Sequence, residues 1–359
     1  MFGLGKRLFS FEMAILHKNK QISPASKAMN NDNPLVSIIT PSFNQGRFIE
    51  ETILSVKGQD YGNIEHIIID GGSSDETLDI LRKYETEYGL TWISEPDRGQ
   101  SDAINKGFNL AKGSVVGWIN SDDTYLPGAV SNAVKVLTAR KGIDWIHGNA
   151  YWIDADGFVI GQFPVKAFNL EDLLKFGMHI AQPSIFFRRY ILEKIGGLDE
   201  NLHSTMDYDF MLRMSHTFQG GFIPEFMATR RLHKFAKSVS QANTFYKETI
   251  KSLVKFFSEN ELSLKVLRLK HLAFQHANLV GGYQAFVDRD FKSARQLLFK
   301  AIYLDPRPWK KETIASLVLI VESILGVDWI KPGFSRMTNN DYYGSRQGIK
   351  NLNWKKGQD

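Results

Sequence analysis

The chain contains no cysteine among its 359 residues. That excludes disulfides, thiolate metal sites and cysteine nucleophiles, and it suits a reducing compartment. Long apolar runs are also missing. No uncharged stretch approaches the ~20 residues a bilayer-spanning helix needs, and the best one, Ile314 to Val321, stops at Glu322. Neither a G-x-G-x-x-G fingerprint nor a G-x-x-x-x-G-K-[ST] loop occurs, so a bound nucleotide would be held by other means. The opening MFGLGKRLFSFEMAILHKNK is a poor secretory leader: Glu12 interrupts it and no small-residue cleavage site follows. It has the pattern of a short amphipathic helix. The expectation is a soluble or surface-bound protein, cytoplasmic or peripheral at the inner face of a membrane.

What is present is ordinary for a globular protein, with 43% hydrophobic and 23% charged residues. The length suits one large domain plus an appendage. The net charge of +5 is unevenly spread: from Ala236 onward there are 20 Lys+Arg against 11 Asp+Glu, a balance of +9, which leaves −4 for the rest. The acidic part is expected to hold the chemistry. The basic part is either a surface for phosphate-rich partners or a solvated helical face.

Gln21 to Pro34 reads as a linker. Strand and helix patterns then alternate: strands at Leu35–Thr40, Glu65–Ile69, Leu90–Ser94 and Ser114–Ile119, helices at Phe48–Gln59, Ser74–Tyr84 and Ser101–Ala111. Ser73 or Ser74 is the expected cap of the second helix. Such alternation predicts a parallel sheet with crossover helices, and ligands gather at the carboxyl ends of such strands. Each of the four strands ends in small, polar or acidic residues: Pro41-Ser42-Phe43-Asn44, Asp70-Gly71-Gly72-Ser73, Glu95-Pro96-Asp97-Arg98 and Asn120-Ser121-Asp122-Asp123. From about residue 240 the character becomes helical. Lys251–Leu279 has helical spacing, Ala285–Leu304 resembles one tetratricopeptide-type hairpin with Ala294, Ala301 and Pro306, and a helix follows from Trp309. Thr338–Asp359 looks frayed.

Adjacent carboxylates at a strand end have three common uses: a divalent-metal site, an acid–base pair, or a cap for the next turn. Sequence neighbours are badly placed for an acid–base pair, which needs carboxyls ~5–9.5 Å apart. A hard cation takes oxygen ligands and would let Asp122 and Asp123 coexist. Capping by Asp123 of a turn toward Pro127 remains the alternative.

The ordered set VSIITPSFNQGRFIEETILSV, IIIDGGSSDET, DRGQSDAINKG and GWINSDDTYLPGA, continuing through HGNAYWIDADG, QPSIFFRRYILEKIGGLDENL, MDYDFMLRM and RLHKFAKSVS, resembles the inverting GT-A glycosyltransferases of family 2. The resemblance covers roughly Pro34 to Ser240. It implies an α/β GT-A fold, with a mostly parallel Rossmann-like nucleotide-binding sheet flanked by helices, and here a C-terminal α-helical appendage. The implied domains are 1–33, an N-terminal extension or linker; 34–240, the glycosyltransferase domain; and 241–359, a helical region with one tetratricopeptide-like hairpin.

By position, the resemblance places Pro41, Ser42, Phe43 and Asn44 against the nucleotide and Asp70 on its base, with Gly71 where many members carry a second Asp. Ser73, Arg98, Asp102 and Lys106 line the nucleotide. The D-x-D metal motif corresponds to Asn120-Ser121-Asp122, so Asp122 is the main ligand of Mn²⁺ or Mg²⁺. Ser121 belongs to the nucleotide-sugar site and Asp123 to its ribose side. Asp207 matches the general base, with Asp209 as competitor and helix capping as the plain alternative. His233 matches a histidine near metal and diphosphate. Gln182 and Trp152 fall in the acceptor half, where Met178, His179 and Phe186 either shape the pocket or fill the core.

The expected activity is transfer of a sugar, with inversion, from a nucleotide-diphosphate donor, a UDP-sugar, to a hydroxyl of a glycan or lipid-linked acceptor in cell-surface polysaccharide synthesis. No nucleic-acid partner is expected, and the basic C-terminal region could touch a membrane. Two rivals stand beside this reading. A metal-dependent sugar-phosphate nucleotidyltransferase would need a glycine-rich first loop that Pro41 to Arg47 does not supply. A non-catalytic scaffold would predict loss of Asp122 or Asp207, and both are present.

Overall fold

The computed structural model describes residues 33–163, 167, 169–178, 180–233, 242–307 and 310–325. The N-terminal segment, His179, Trp309 and the last residues lie outside that range, as does Ser240.

Nine strands form one sheet in the order β3-β2-β1-β4-β8-β6-β9-β5, with β7 beside β6. The first half is the expected parallel unit. β1 (Val36–Ser42), β2 (Ile64–Asp70), β3 (Thr91–Ser94) and β4 (Val115–Trp118) pair in parallel, Ser42 level with Asp70 and Asp70 with Ser94. All seven residues of β1 are buried, as a central strand covered on both faces requires. Helix α1 (Gly46–Lys57) buries Phe48, Ile49, Ile53 and Val56 of the apolar stripe its periodicity predicts, together with Thr52, while Leu54 of that stripe is exposed. Helix α2 (Thr77–Tyr88) starts three residues later than Ser74. Asp75 turns its carboxylate to the Thr77 and Gly46 amides, tying α2 to the start of α1, and neither Ser73 nor Ser74 caps it. Helix α3 (Gln100–Leu110) lies so close on β1 that a Cβ at Gly107 would stand 2.4 Å from Ile39 Cγ2.

The second half is mixed and had no counterpart in the sequence reading. β8 (Phe186–Arg188) runs antiparallel to β4 and to β6 (Trp145–Ile153). The long β9 (Gly220–Arg231) pairs in parallel with β6 through register shifts at Gly148 to Ala150, and antiparallel with β5 (Thr124–Tyr125). β7 is Val159–Phe163 and α4 is Ala129–Ala139. Helices α5 (Leu170–Phe176), α6 (Tyr190–Ile195) and α7 (Met206–Thr217) follow along the chain. Phe210 of α7 meets Trp118 of β4 at 5.8 Å and Phe187 of β8 at 5.5 Å between ring centroids. Aromatic pairs of this kind contribute ~0.5–1.5 kcal/mol each beyond burial. They hold the start of α7 near the carboxyl end of β4.

The helical spacing over Lys251–Leu279 is met by three helices: α8 (Ala242–Glu259), α9 (Leu264–Leu267) and α10 (Lys270–Val287). Ser263 breaks the pattern by capping α9 through the Val266 amide. Leu253, Phe256 and Phe257 of α8 share one buried cluster with Trp118, Phe187 and Phe210. The hairpin is present as α10 and α11 (Phe291–Leu304), turned at Arg289 with φ +63° and capped by Asp290. Ala294, Leu298 and Ala301 pack on Tyr283 and Phe286, and α12 (Lys311–Leu325) adds Ala315, Leu319 and Ile320. No helix among the described residues is long and apolar enough to cross a membrane.

Candidate active site

Three parallel strand ends meet α7 and the end of β9 around a cleft of about 400 Å³. Its walls include Pro41, Ser42 and Phe43 after β1, Asn120 to Asp123 after β4, Gln182, Asp207 on α7, and Arg230, Arg231 and His233 from β9 and just beyond. The structure therefore gathers Asp122, His233, Asp207 and Gln182, which lie far apart in sequence. The family resemblance had linked them.

His233 Nε2 lies 3.0 Å from Asp122 Oδ2. Two neighbouring ligands of an octahedral ion at ~2.1 Å stand about 3 Å apart, so the pair has the spacing of one metal's adjacent positions. His233 is nearly buried, its ring 4.8 Å from Phe48, and its Nδ1 has no hydrogen-bond partner among the described residues. No three His, Asp or Glu side chains converge as a cation cage among the described residues. Asp122 and His233 could together fill two positions of a Mg²⁺ or Mn²⁺ shell whose remainder is substrate phosphate and water.

Asp123 points the other way. It is 2% exposed, and its carboxylate accepts the Arg231 amide at 2.9 Å and the Asn120 side-chain amide at 3.2 Å. Burial first, then the Asp122 charge, pushes its carboxyl up to about 8. The turn-cap alternative does not describe it: its partners lie on β9 and Asn120. Arg231 is the tie of this corner, with Nε donating to the Asp122 carbonyl at 2.8 Å and Nη2 paired with Glu51 at 2.5 Å.

Asp207 sits at the start of α7 with its carboxyl pushed above the usual range. Burial is the main cause, opposed by the Arg230 charge and the Tyr208 amide and aided weakly by Glu248. Asp209, the competitor, is 2% exposed and bound to Arg213 at 2.8 and 2.9 Å, so it is turned into the fold.

Other expected residues lie elsewhere. Asp70 is fully buried, and its carboxylate accepts from the Gly72 and Ser73 amides, the Ser73 hydroxyl and the Ser94 hydroxyl. Its lone pairs shape the loop, and Asp70 is not among the residues that line the cleft. A Cβ on Gly71 would stand 2.6 Å from Asp97 Oδ2, and Asp97 is the carboxylate that lines the cleft from that corner. Ser73 also accepts the Asn44 amide at 2.7 Å, and Asn44 takes φ +51°, so these two knit the loops together. Arg98 pairs with Asp102 and Glu200, and Lys106 with Glu95 and Asp102. This charge cluster stands behind the cleft wall. Trp152 is buried, and Arg230 stacks on its ring at 5.1 Å. Arg230 lines the cleft and Trp152 stands behind it. Phe186 is wholly buried against Tyr125, and Met178 packs at the core edge. Gln182 does line the cleft, with Nε2 donating to the Trp118 carbonyl at 2.8 Å.

Sequence reasoning placed Asp97 on a strand-end loop without giving it a role, and it missed Gln100, Arg230, Arg231 and Phe245 on the cleft wall. Asp97 and Gln100 stand inside the DRGQSDA segment and were legible by position. Phe245 comes from α8, beyond the segment that carried the resemblance.

A cleft over three strand ends, with the Asp122–His233 pair and the raised carboxyl of Asp207 on its wall, lies where ligands gather on such sheets. Solved structures agree on the fold. S. aureus TarS 1–349 in complex with UDP-GlcNAc superposes with TM-score 0.63 at 16% identity, over 82% of this chain and 93% of that one. A mannosyltransferase of Pyrobaculum calidifontis in complex with GDP-Man and Mn²⁺ gives 0.57 at 18% identity, over 98% and 95%. The family model described as "Glycosyl transferase family 2" matches residues 37–196. An "Uncharacterized glycosyltransferase" of Mycobacterium tuberculosis (strain CDC 1551 / Oshkosh) is 35% identical over 184 residues, 50% of this chain and 68% of that protein. A hyaluronan synthase of Pasteurella multocida is 25% identical over 218 residues, 60% of this chain but 22% of the synthase. The chain belongs to glycosyl transferase family 2, and it is a glycosyltransferase.

Proposed function

We propose that the protein transfers a sugar, with inversion, from a nucleotide-diphosphate donor, a UDP-sugar, to a hydroxyl of a glycan or lipid-linked acceptor in cell-surface polysaccharide synthesis, from the cytoplasmic side of a membrane. The observation that carries it is one cleft holding the Asp122–His233 pair and the raised carboxyl of Asp207. Similarity to a hyaluronan synthase, and a shared fold with proteins solved with UDP-GlcNAc or GDP-Man, support the donor and acceptor classes.

Pro41, Ser42 and Phe43 would receive the nucleoside, with Asp97 at its edge. Asp122 and His233 would hold Mn²⁺ or Mg²⁺ beside the diphosphate. When bound, the ion offsets charge developing on the departing phosphate oxygen. Ser121 and Gln182 border the sugar. Asp207 takes the proton of the acceptor hydroxyl as its oxygen attacks the anomeric carbon from the face opposite the diphosphate. The new glycosidic bond forms, the carbon–phosphate oxygen bond breaks, and the electron pair leaves with the nucleoside diphosphate. Burial favours the protonated form of Asp207, which makes it a stronger base than a solvated carboxylate. The domain limits 34–240 and 241–359 belong to the same proposal. Contact of the basic C-terminal region with anionic lipid does too, and liposome sedimentation measures it.

The test is nucleoside diphosphate release from a panel of nucleotide sugars with Mn²⁺, and again with EDTA. Release from one donor, lost in Asp122→Ala, in Asp207→Ala and in EDTA, is expected. Release unaffected by both substitutions would overturn the site.

A further inference from the structure

We propose that Glu248 on α8 is a positioning residue for the transfer reaction: it clamps the segment that launches α7 and so fixes where Asp207 points. This rests on the reading of Asp207 as the base.

The sequence assigns α8 to the helical region after residue 240, outside the catalytic machinery. Its Glu248 is 5% exposed and reaches back more than forty residues. Its carboxylate accepts the His203 amide at 3.1 Å on both oxygens, the Ser204 amide at 2.7 Å and the Thr205 amide at 3.1 Å. Three consecutive backbone donors converge on one buried anion. The first amides of a helix lack intrahelical partners, and a nearby side chain normally supplies one. Thr205 occupies that cap position of α7, yet its hydroxyl makes no cap bond. The restraint comes from another helix instead. A charge-assisted bond is stronger than a neutral one, and negative charge is favoured at a helix start.

Asp207 lies two residues past the last clamped amide. Among the described residues its carboxylate is held by amides of its own helix, that of Tyr208 at 2.8 Å. Its aim therefore depends on the path of residues 203–206. Ser204, Met206 and Asp207 all line the cleft, and so does Phe245, one turn before Glu248 on the same helix. Helix α8 is held again toward its other end, where Lys255 bonds Asp199 at 2.6 Å and stands 4.0 Å from Asp209 of α7. The charges that bear on Asp207 are Arg230 from β9 and Glu248 from α8. Glu248 opposes ionisation and Arg230 favours it.

The experiment compares Glu248→Ala, Glu248→Gln and Lys255→Ala in the full chain, by turnover, by binding of UDP with Mn²⁺, by melting temperature and by amide hydrogen exchange over 203–207. Expected for Glu248→Ala are a kcat loss of 10-fold or more, UDP affinity within about 3-fold of wild type, and loss of protection confined to 203–207. Glu248→Gln keeps one acceptor and should recover part of kcat. Its acid limb of kcat/KM should move to lower pH, since removing a negative neighbour eases Asp207 ionisation. Lys255→Ala loosens the same helix where it meets Asp199 and Asp209 but leaves the Glu248 bonds in place, so kcat should hold. The proposal is overturned if Lys255→Ala slows turnover as much at equal melting temperature, or if exchange over 203–207 is unchanged in Glu248→Ala. If the wild type turns over no nucleotide sugar, the functional reading fails, while exchange still reports the clamp.

Discussion

Two carboxylates, Asp207 and Asp209, stand two residues apart on α7 and should fail in opposite ways. Asp209 is 2% exposed and holds the Arg213 guanidinium, which also donates to the Ile195 carbonyl at 2.6 Å and the Gly197 carbonyl at 2.8 Å. Removing one partner of a buried ion pair costs ~3–5 kcal/mol. Arg213 keeps two carbonyl acceptors, so the lower end applies. At about 2 °C per kcal/mol for a unit of this size, Asp209→Ala should lower Tm by roughly 6 °C. Asp207 is the reverse case. Its folded pKa lies above the ordinary carboxylate value. Folding therefore takes up a proton between the unfolded and folded values, and stability falls as pH rises through them. Below the unfolded value the group has no effect. Asp207→Asn removes the charge, so Tm at pH 7 should hold or rise, and the gain should vanish toward acid. Turnover should fall ~10²- to 10⁴-fold, the contribution of a general base. Differential scanning fluorimetry across pH and nucleoside diphosphate release measure the two. If Asp209→Ala keeps its Tm yet abolishes turnover, or Asp207→Asn keeps turnover, the roles are wrongly assigned.

Two further outcomes follow from single side chains. Asn120 donates to Asp123 at 3.2 Å and to Gln182 at 3.3 Å while accepting from Gln100 at 2.7 Å. Asn120→Asp would lose both donations and set a third acid beside Asp122 and Asp123, so metal-free stability should fall by roughly 1–3 kcal/mol, with Mn²⁺ restoring part of it in parallel melts. Asp305 is 3% exposed, and Arg307 first, with Lys310 beside it, holds its carboxyl far below the usual range. Its contribution is therefore full above the ordinary carboxylate value and lost as pH falls through the folded one, so Asp305→Asn should cost ~1.5–3 kcal/mol at pH 7 and progressively less in acid, read from paired melts.

What the sequence could show was set by how local each cause is. The parallel half was legible because each strand is a short apolar run and each helix carries its own stripe. The carboxyl-end rule then placed four polar loops on one edge, and Ser42, Asp70 and Ser94 do lie level in register. The mixed half was not legible. β9 contains Pro224 and a Gly220-Gly221 start, and it pairs with β6 only through register shifts, so no clean alternation marks it. Side-chain direction was hidden for a similar reason. Asp70 and Asp97 both end strands, but only the packing of Ser73 and Ser94 turns Asp70 inward and leaves Asp97 in the cleft wall. The same holds for Asp122 and Asp123, where the Arg231 amide from the far end of β9 captures the second acid. A metal at Asp122 is therefore not required to explain how two adjacent carboxyls coexist. One faces His233 across the cleft, and the other is buried with its proton favoured. Glu248 is the extreme case: nothing in its neighbourhood in sequence distinguishes it from any helical glutamate. Its three amide partners appear only when α8 folds back onto the start of α7.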